Sequence, residues 1–315
     1  MKWFFKLPRK QAAILALIFC NIIWGAASPI FKWSLQDIPL FVLAYFRFFI
    51  ASILLFPIAS RNSLIIHRQD WGKILGFALS GVTFNITFFF LGLKLAPSIN
   101  APIIASAGPI FLLLASIIFL KENPKRKKII GMLISLLGVF VIIGRPLIEN
   151  GFAISGMLGN IFILMATFGA VGHTIFCKQL SHKYPANTIT FWAFIIGTVT
   201  FLPFFINESL STPWIINLDI RGYVGLVFGS VLSSFIAYSL YSWAIARIDA
   251  SEAGIFTYID PVAATIIAIP LLGEIPTPLL ILGTLFVFGG IFVAEGRLHY
   301  HPFHRLRYEP DSINP

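Results

Sequence analysis

The fifteen residues from Ile129 to Ile143 carry no charge, and most of the chain is written in runs of this kind. At about 20 apolar residues per bilayer crossing, ten segments are expected: 12–33, 39–59, 72–94, 98–120, 127–145, 153–177, 188–206, 222–246, 251–272 and 278–296. Continuous runs select helices, because the strands of a membrane barrel alternate lipid-facing and lumen-facing residues. Composition agrees: 57% hydrophobic and 11% charged residues, with a mean hydropathy of +0.87, leave too little polar surface to cover a water-soluble globule. The expected class is an all-α integral membrane protein with no soluble domain. The first run follows Lys2, Lys6, Arg9 and Lys10 and reaches small residues at Gly25-Ala26-Ala27-Ser28, as a cleaved signal would. It is expected to stay as a span, because the repeat described next needs it.

Pro109, Glu122, Gly131 and Gly138 recur as Pro261, Glu274, Gly283 and Gly290, each 152 residues further on. Four landmarks in one register mark an internal duplication. Its units are residues 12–146 and 153–296, with an N-terminal segment 1–11 and a C-terminal tail 297–315. Each unit holds five expected spans, and an odd number of crossings inserts the second copy upside down. The expected architecture is therefore ten transmembrane helices as two inverted five-helix repeats, which in secondary transporters enclose a substrate site near the midplane. The front parts match less closely; Lys32 and Lys178 follow comparable spans 146 residues apart.

With the N-terminus inside, 18 of the 23 basic residues fall on the inner side, among them Arg126, Lys127 and Lys128. That bias predicts a multi-pass protein of the inner (plasma) membrane with both termini cytoplasmic. The formal charge of +10 reads as topology and as attraction to anionic headgroups. Nucleic acid is not an expected partner, because the basic residues are spread over many loops. The expected partners are the bilayer and a small-molecule substrate, with small-residue patches that would also suit a homodimer. Cys20 and Cys177 fall inside spans and read as packed thiols. His299, His301 and His304 in the tail match no strong zinc spacing, and no metal or other cofactor is expected.

Polar residues inside spans are the candidate site, because lipid supplies them no partner. Asp260 lies about nine residues into a span and suits a substrate amine or a proton; Asp260-Pro261 equally suits the start of a helix. Arg47 lies at similar depth, where it neutralises Asp260, grips a substrate carboxylate with two parallel N–H groups, or serves packing as an interior ion pair or carbonyl clamp between helices. His173 is the histidine placed in a membrane segment and, with Asp260, the candidate for proton coupling. Asn21, Asn85, Ser106 and Tyr258 each need a facing helix or the substrate as partner. Among aromatics, Trp24 and Tyr238 have small or polar neighbours, Gly25 and Ser239, that suggest an interior face.

Trp24-Gly25 with Pro29 and Lys32, Arg47-Phe48 with Ala51, and the series from Pro109 through Leu120-Lys121-Glu122 to Gly131 and Gly138 resemble the EamA family of the drug/metabolite transporter superfamily. Pro261, Leu272-Gly273-Glu274, Gly283 and Gly290 resemble its second domain. The second copy departs from the pattern where Ala170-Val171 and Ala193-Phe194 replace the Trp-Gly and Arg-Phe pairs. The resemblance implies a ten-helix carrier of the inner membrane that exports amino acids or related metabolites through a central cavity by alternating access. It does not imply an enzyme, and no catalytic constellation is visible in the spans. The alternative is a flippase for lipid-linked solutes, or a non-transporting membrane protein of the same fold.

Overall fold

The computed structural model describes residues 9–61, 63–111, 113–114, 126–149, 154–215, 218–248 and 253–295. Every regular element among them is helical, as lipid requires of a chain whose backbone must satisfy itself. In chain order these are α1 (Arg9–Ser34), α2 (Leu40–Ala59), α3 (Trp71–Ala78) and α4 (Asn85–Leu95), then the short α5 (Asn100–Ala105). They are followed by α6 (Arg126–Glu149), α7 (Ile154–Ser181), α8 (Ala186–Ser211), α9 (Ile220–Val227), α10 (Ala237–Ile245), α11 (Ile259–Leu272) and α12 (Pro278–Glu295). Two π-helical segments make α3 and α4, and again α9 and α10, continuous: π1 (Leu79–Phe84) and π2 (Phe228–Ile236).

Seven helical segments among the described residues are long and apolar enough to cross a membrane, including Arg68–Leu95 and Ile220–Ile245, which run through the π segments. The ninth and tenth expected spans appear as shorter apolar helices, Phe256–Leu272 and Pro278–Ala294. The fourth falls partly on residues 115–125, which together with Lys121, Glu122 and the tail histidines His299, His301 and His304 lie outside the described residues. What is described of the fourth span is interrupted: α5 stops at Ala105, a turn follows, and helix resumes at Gly108-Pro109. The ninth has its own irregularity, a 3₁₀ turn at Gly254–Tyr258 that leads into α11.

Helix ends are closed by acids from neighbouring elements. Glu208, near the end of α8, accepts the first free N–H groups of α2 from Phe41 (2.7 Å) and Val42 (3.1 Å). Asp219 caps α9 by accepting Arg221 N–H at 2.7 Å. α11 ends at Gly273, whose φ of 66° lies in the left-handed region that glycine enters without a Cβ penalty. The reversal there turns Glu274 back toward the bundle.

α1 packs on α11 and on α9-π2-α10, while α7 packs on α5 and on α3-π1-α4; α2 packs on α8, and α6 on α12. The last pair approaches most closely. A Cβ placed at Gly138 would come within 2.6 Å of the Gly283 carbonyl oxygen, and one at Gly290 within 2.5 Å of the Gly131 oxygen. With no water to expel from between helices in lipid, such a pair is held by close van der Waals contact, which small residues permit. Gly138→Val is expected to force α6 from α12 and destabilise the protein by about 1–3 kcal/mol, read as a lowered unfolding temperature in detergent, while the same change at Gly144, which has no neighbour within 4 Å, is expected to be far milder.

Candidate functional site

A cavity of about 680 Å³ lies between the helices, lined in the main by apolar and aromatic groups. Its ends can be assigned from packing. Lys32 reaches Ala96, and a Cβ at Gly159 or Gly156 would meet Ala96 or Pro146. Lys32 and Pro146 are therefore at one end of the bundle. Lys128, which lines the cavity, is 18 residues before Pro146 on the same helix, about 27 Å away at 1.5 Å per residue. The cavity thus extends toward the end where the basic residues gather.

The opposite end carries a tie between helix ends. Lys32 Nζ stands 3.1 Å from Glu274 Oε1 and donates to the Ala96 carbonyl at 2.6 Å. The same glutamate accepts from Ser98 N–H (2.9 Å), Ser98 Oγ (2.8 Å) and Ile99 N–H (3.1 Å). One carboxylate thereby joins α1, the α4–α5 turn and the end of α11.

Of the sequence-derived candidates, Trp24, Arg47, Asn85, His173, Tyr238 and Asp260 line the cavity. Trp24 of α1 donates its indole N–H to the Ser233 carbonyl at 3.1 Å and meets Tyr238 edge-on, with ring centroids 5.4 Å apart. Tyr238 of α10 donates to the Gly81 carbonyl at 3.1 Å. Both acceptors lie in π segments. His173 of α7 stacks on Phe77 at 4.1 Å. Its Nδ1 is 3.3 Å from the Phe77 carbonyl, which can only accept, so Nδ1 carries the proton. Nε2 has no partner. Asn85 donates to the Ala166 carbonyl at 2.7 Å.

Arg47 is 2% exposed. Its Nε donates to Ser234 Oγ (2.6 Å) and its Nη2 to Ser233 Oγ (3.0 Å), while Cζ lies 4.8 Å and 5.1 Å from the ring centroids of Phe31 and Phe48. Nη1 has no partner. Two hydrogen bonds of about 1.5–3 kcal/mol each and two ring contacts of about 0.5–2 kcal/mol each offset much of the cost of burying the cation. They leave three of the five N–H groups unmet, two of them on Nη1. The serines take the side-on edge, Nε with Nη2, so a carboxylate can meet the guanidinium only from its Nη1 end.

Asp260 sits in the first turn of α11, where Tyr258 is the N-cap and no side chain caps the helix. Its Oδ1 has no partner. Neither Arg47 nor Asp260 appears in an ion pair with the other among the described residues. A Cβ at Gly25 would meet the Asp260 backbone at 2.6 Å, so the glycine after Trp24 lets α1 lie directly on this turn.

Three candidates lie off the cavity wall. Asn21 donates to the Leu17 carbonyl at 2.7 Å within α1; Ser106 donates to Pro102 at 2.8 Å in the interrupted fourth span; Tyr258 packs edge-on against Phe288 at 5.4 Å. The wall also includes Tyr241, whose hydroxyl is 2.9 Å from Thr174 Oγ1, and Ser233. Adjacent serines inside an apolar run were the signal for Ser233 and Ser234. Replacing Arg47 with Met is expected to raise the unfolding temperature of the substrate-free protein by an amount equivalent to about 1–3 kcal/mol, because a buried cation that meets neutral partners only, and leaves part of its N–H groups unmet, is exchanged for apolar volume; a drop would mean that the guanidinium acts as a structural clamp.

The chain matches the EamA-like transporter family over residues 11–144 and again over 157–295. It is similar to an uncharacterized transporter of Archaeoglobus fulgidus at 26% identity over 287 residues, covering 90% of this chain and 98% of the relative. A second transporter of that organism is 30% identical over 286 residues, with the same coverage. A Salmonella typhimurium protein named as a probable amino-acid metabolite efflux pump is 21% identical, over 91% of this chain and 95% of its own. A solved structure with 19% identity superposes at a TM-score of 0.64 over 95% of this chain and 99% of that one, a likeness of fold.

Proposed function

The chain belongs to the EamA-like transporter family, and we propose that it is a secondary transporter that exports small organic metabolites, amino acids or related solutes, across the inner membrane. The observation that carries the substrate class is the placing of a basic and an acidic side chain on one cavity wall, Arg47 buried and Asp260 half-buried, neither paired with the other and each with a buried atom that has no partner among the described residues. A zwitterion supplies both missing partners: its carboxylate suits Arg47 Nη1 and its ammonium suits Asp260. The printed name of the Salmonella relative points the same way.

The mechanism is alternating access by two inverted five-helix repeats, residues 12–146 and 153–296, and reciprocal contacts support it. Gly131 meets Gly290 and Gly138 meets Gly283; exchanging each glycine for its counterpart 152 residues away returns the same two contacts. Lys32 donates to the Ala96 carbonyl, and Lys178 to that of Ile248, the residue 152 beyond Ala96. Asn85 donates to Ala166, and Cys20 to Ala237, which stand at the swapped positions. An arrangement with two equivalent halves has two equivalent ways to close. In this conformer the Lys32–Glu274 tie closes the outer end, and the cavity reaches toward the cytoplasmic, basic side. The distribution of basic residues supports putting both termini on that side.

Asp260 and His173 are the groups through which a proton would couple to the solute. Flux of labelled amino acids in proteoliposomes is expected to saturate, to be driven by an imposed pH gradient and to be lost in Asp260→Asn. Flux indifferent to both the gradient and the substitution would replace proton coupling with facilitated exchange, and no flux for any amino acid would overturn the substrate class.

A further inference from the structure

Trp24 and Arg47, the two side chains that the second repeat lacks, converge on one residue. Ser233 accepts the indole N–H of Trp24 at its carbonyl and Nη2 of Arg47 at its hydroxyl, 3.0 Å away. Ser234 takes Nε at 2.6 Å. Consecutive residues of a regular α-helix point about 100° apart and do not share a face. Here both reach the same guanidinium edge, and they do so from π2, where Ala237 N–H bonds back to Leu232. π-turns of this kind recur at functional sites.

The frame around these contacts is matched in the other repeat, but its filling is not. Gly81 stands 152 residues before Ser233, in π1, and its carbonyl also accepts an aromatic donor, the Tyr238 hydroxyl. It has no side chain, and a Cβ there would collide with the His173 ring. The residues 146 after Trp24 and Arg47 are Ala170 and Ala193. Polar groups have thus been built on one side only of a matched frame, and the buried cation they hold has no acid among its contacts with the described residues. A requirement of architecture alone would fall on both halves.

We propose that Ser233 and Ser234 are positioning residues that hold Arg47 as the carboxylate-reading group of the carrier, and so set which solutes it accepts. With Nε and one N–H of Nη2 held by the serines, the guanidinium cannot turn, and Nη1, whose two N–H groups have no partner among the described residues, is presented to a substrate oxygen. This rests on the zwitterion reading given above. The serines act through Arg47, whose orientation they fix.

The test is equilibrium binding of labelled L-leucine and of L-leucinamide, which keeps the ammonium and lacks the carboxylate, to the full-length protein in lipid nanodiscs. The wild type is expected to favour leucine. In the double variant Ser233→Ala with Ser234→Ala, leucine is expected to weaken about tenfold, the loss of one charged hydrogen bond's worth of alignment, while leucinamide is unchanged. The double variant Ser233→Thr with Ser234→Thr keeps both hydroxyls and is expected to restore leucine binding. Equal weakening of both ligands would show a merely structural role, and unchanged leucine binding would show that Arg47 needs no support; either overturns the proposal. A wild type that binds leucinamide as tightly as leucine would overturn it by removing carboxylate reading altogether. Binding of neither ligand by the wild type would instead overturn the zwitterion reading, and the positioning role with it.

Discussion

Within a bilayer no water is at hand to satisfy a polar group, so each donor or acceptor carried into a span must be met by protein or pay several kcal/mol. The chain obeys this almost everywhere. Serine and threonine hydroxyls such as those of Thr87, Thr167 and Thr198 bond back to carbonyls of their own helices, and Asn160 is spent on Asn100 and Ile142. The exceptions therefore carry information. Eight buried side-chain atoms among the described residues lack a hydrogen-bond partner: Asn21 Oδ1, Asn100 Oδ1, Ser135 Oγ, Arg145 Nε and Ser239 Oγ lie off the cavity wall, while Arg47 Nη1, His173 Nε2 and Asp260 Oδ1 belong to side chains that line one cavity. Those three are the ones a solute in the cavity is placed to meet.

The frame and the site obey different rules. Glycines 131, 138, 283 and 290 let two helices touch along their backbones, and paired lysines pin paired turns. These contacts are repeated in the two halves because packing is what duplication copies. The site is asymmetrical: the indole and guanidinium come from the first half, the carbonyl that holds the indole and the hydroxyls that hold the guanidinium from the second, and the acid from a helix whose counterpart has Gly108 in its place. The matched contacts of the frame are what the proposed alternation would use, and the asymmetry of the lining is what the proposed zwitterion would meet.

How much of this the sequence made readable follows the same division. The repeat was legible because close packing depends on residue type at a fixed interval, so Pro261, Glu274, Gly283 and Gly290 announce themselves. Depth in the span was legible too, and it brought Trp24, Arg47, Asn85, His173, Tyr238 and Asp260 to the cavity wall. Azimuth was not. Asn21 lies one turn before Gly25, yet its amide is turned to its own helix, and Ser106 and Tyr258 sit where a break and a 3₁₀ turn shift the helical phase. The π segments shift it again, which is why Ser233 and Ser234 read as ordinary small residues although they hold the buried cation. Nor could spacing show that the two-toothed edge of Arg47 was already occupied. Lys32 and Glu274, 242 residues apart in the chain, read as separate helix-end charges and prove to be one tie.

The central claim is that the cavity is a path reached from one side of the membrane at a time. It is tested most directly by placing a cysteine at Ala170, on the cavity wall, in a protein whose two native cysteines are replaced, and labelling it in oriented vesicles with a membrane-impermeant maleimide. The account predicts labelling from the cytoplasmic side, protection by substrate, and new labelling from the outer side when Lys32 and Glu274 are both neutralised. Equal labelling from both sides in the intact protein, or none from either under any condition, would contradict it.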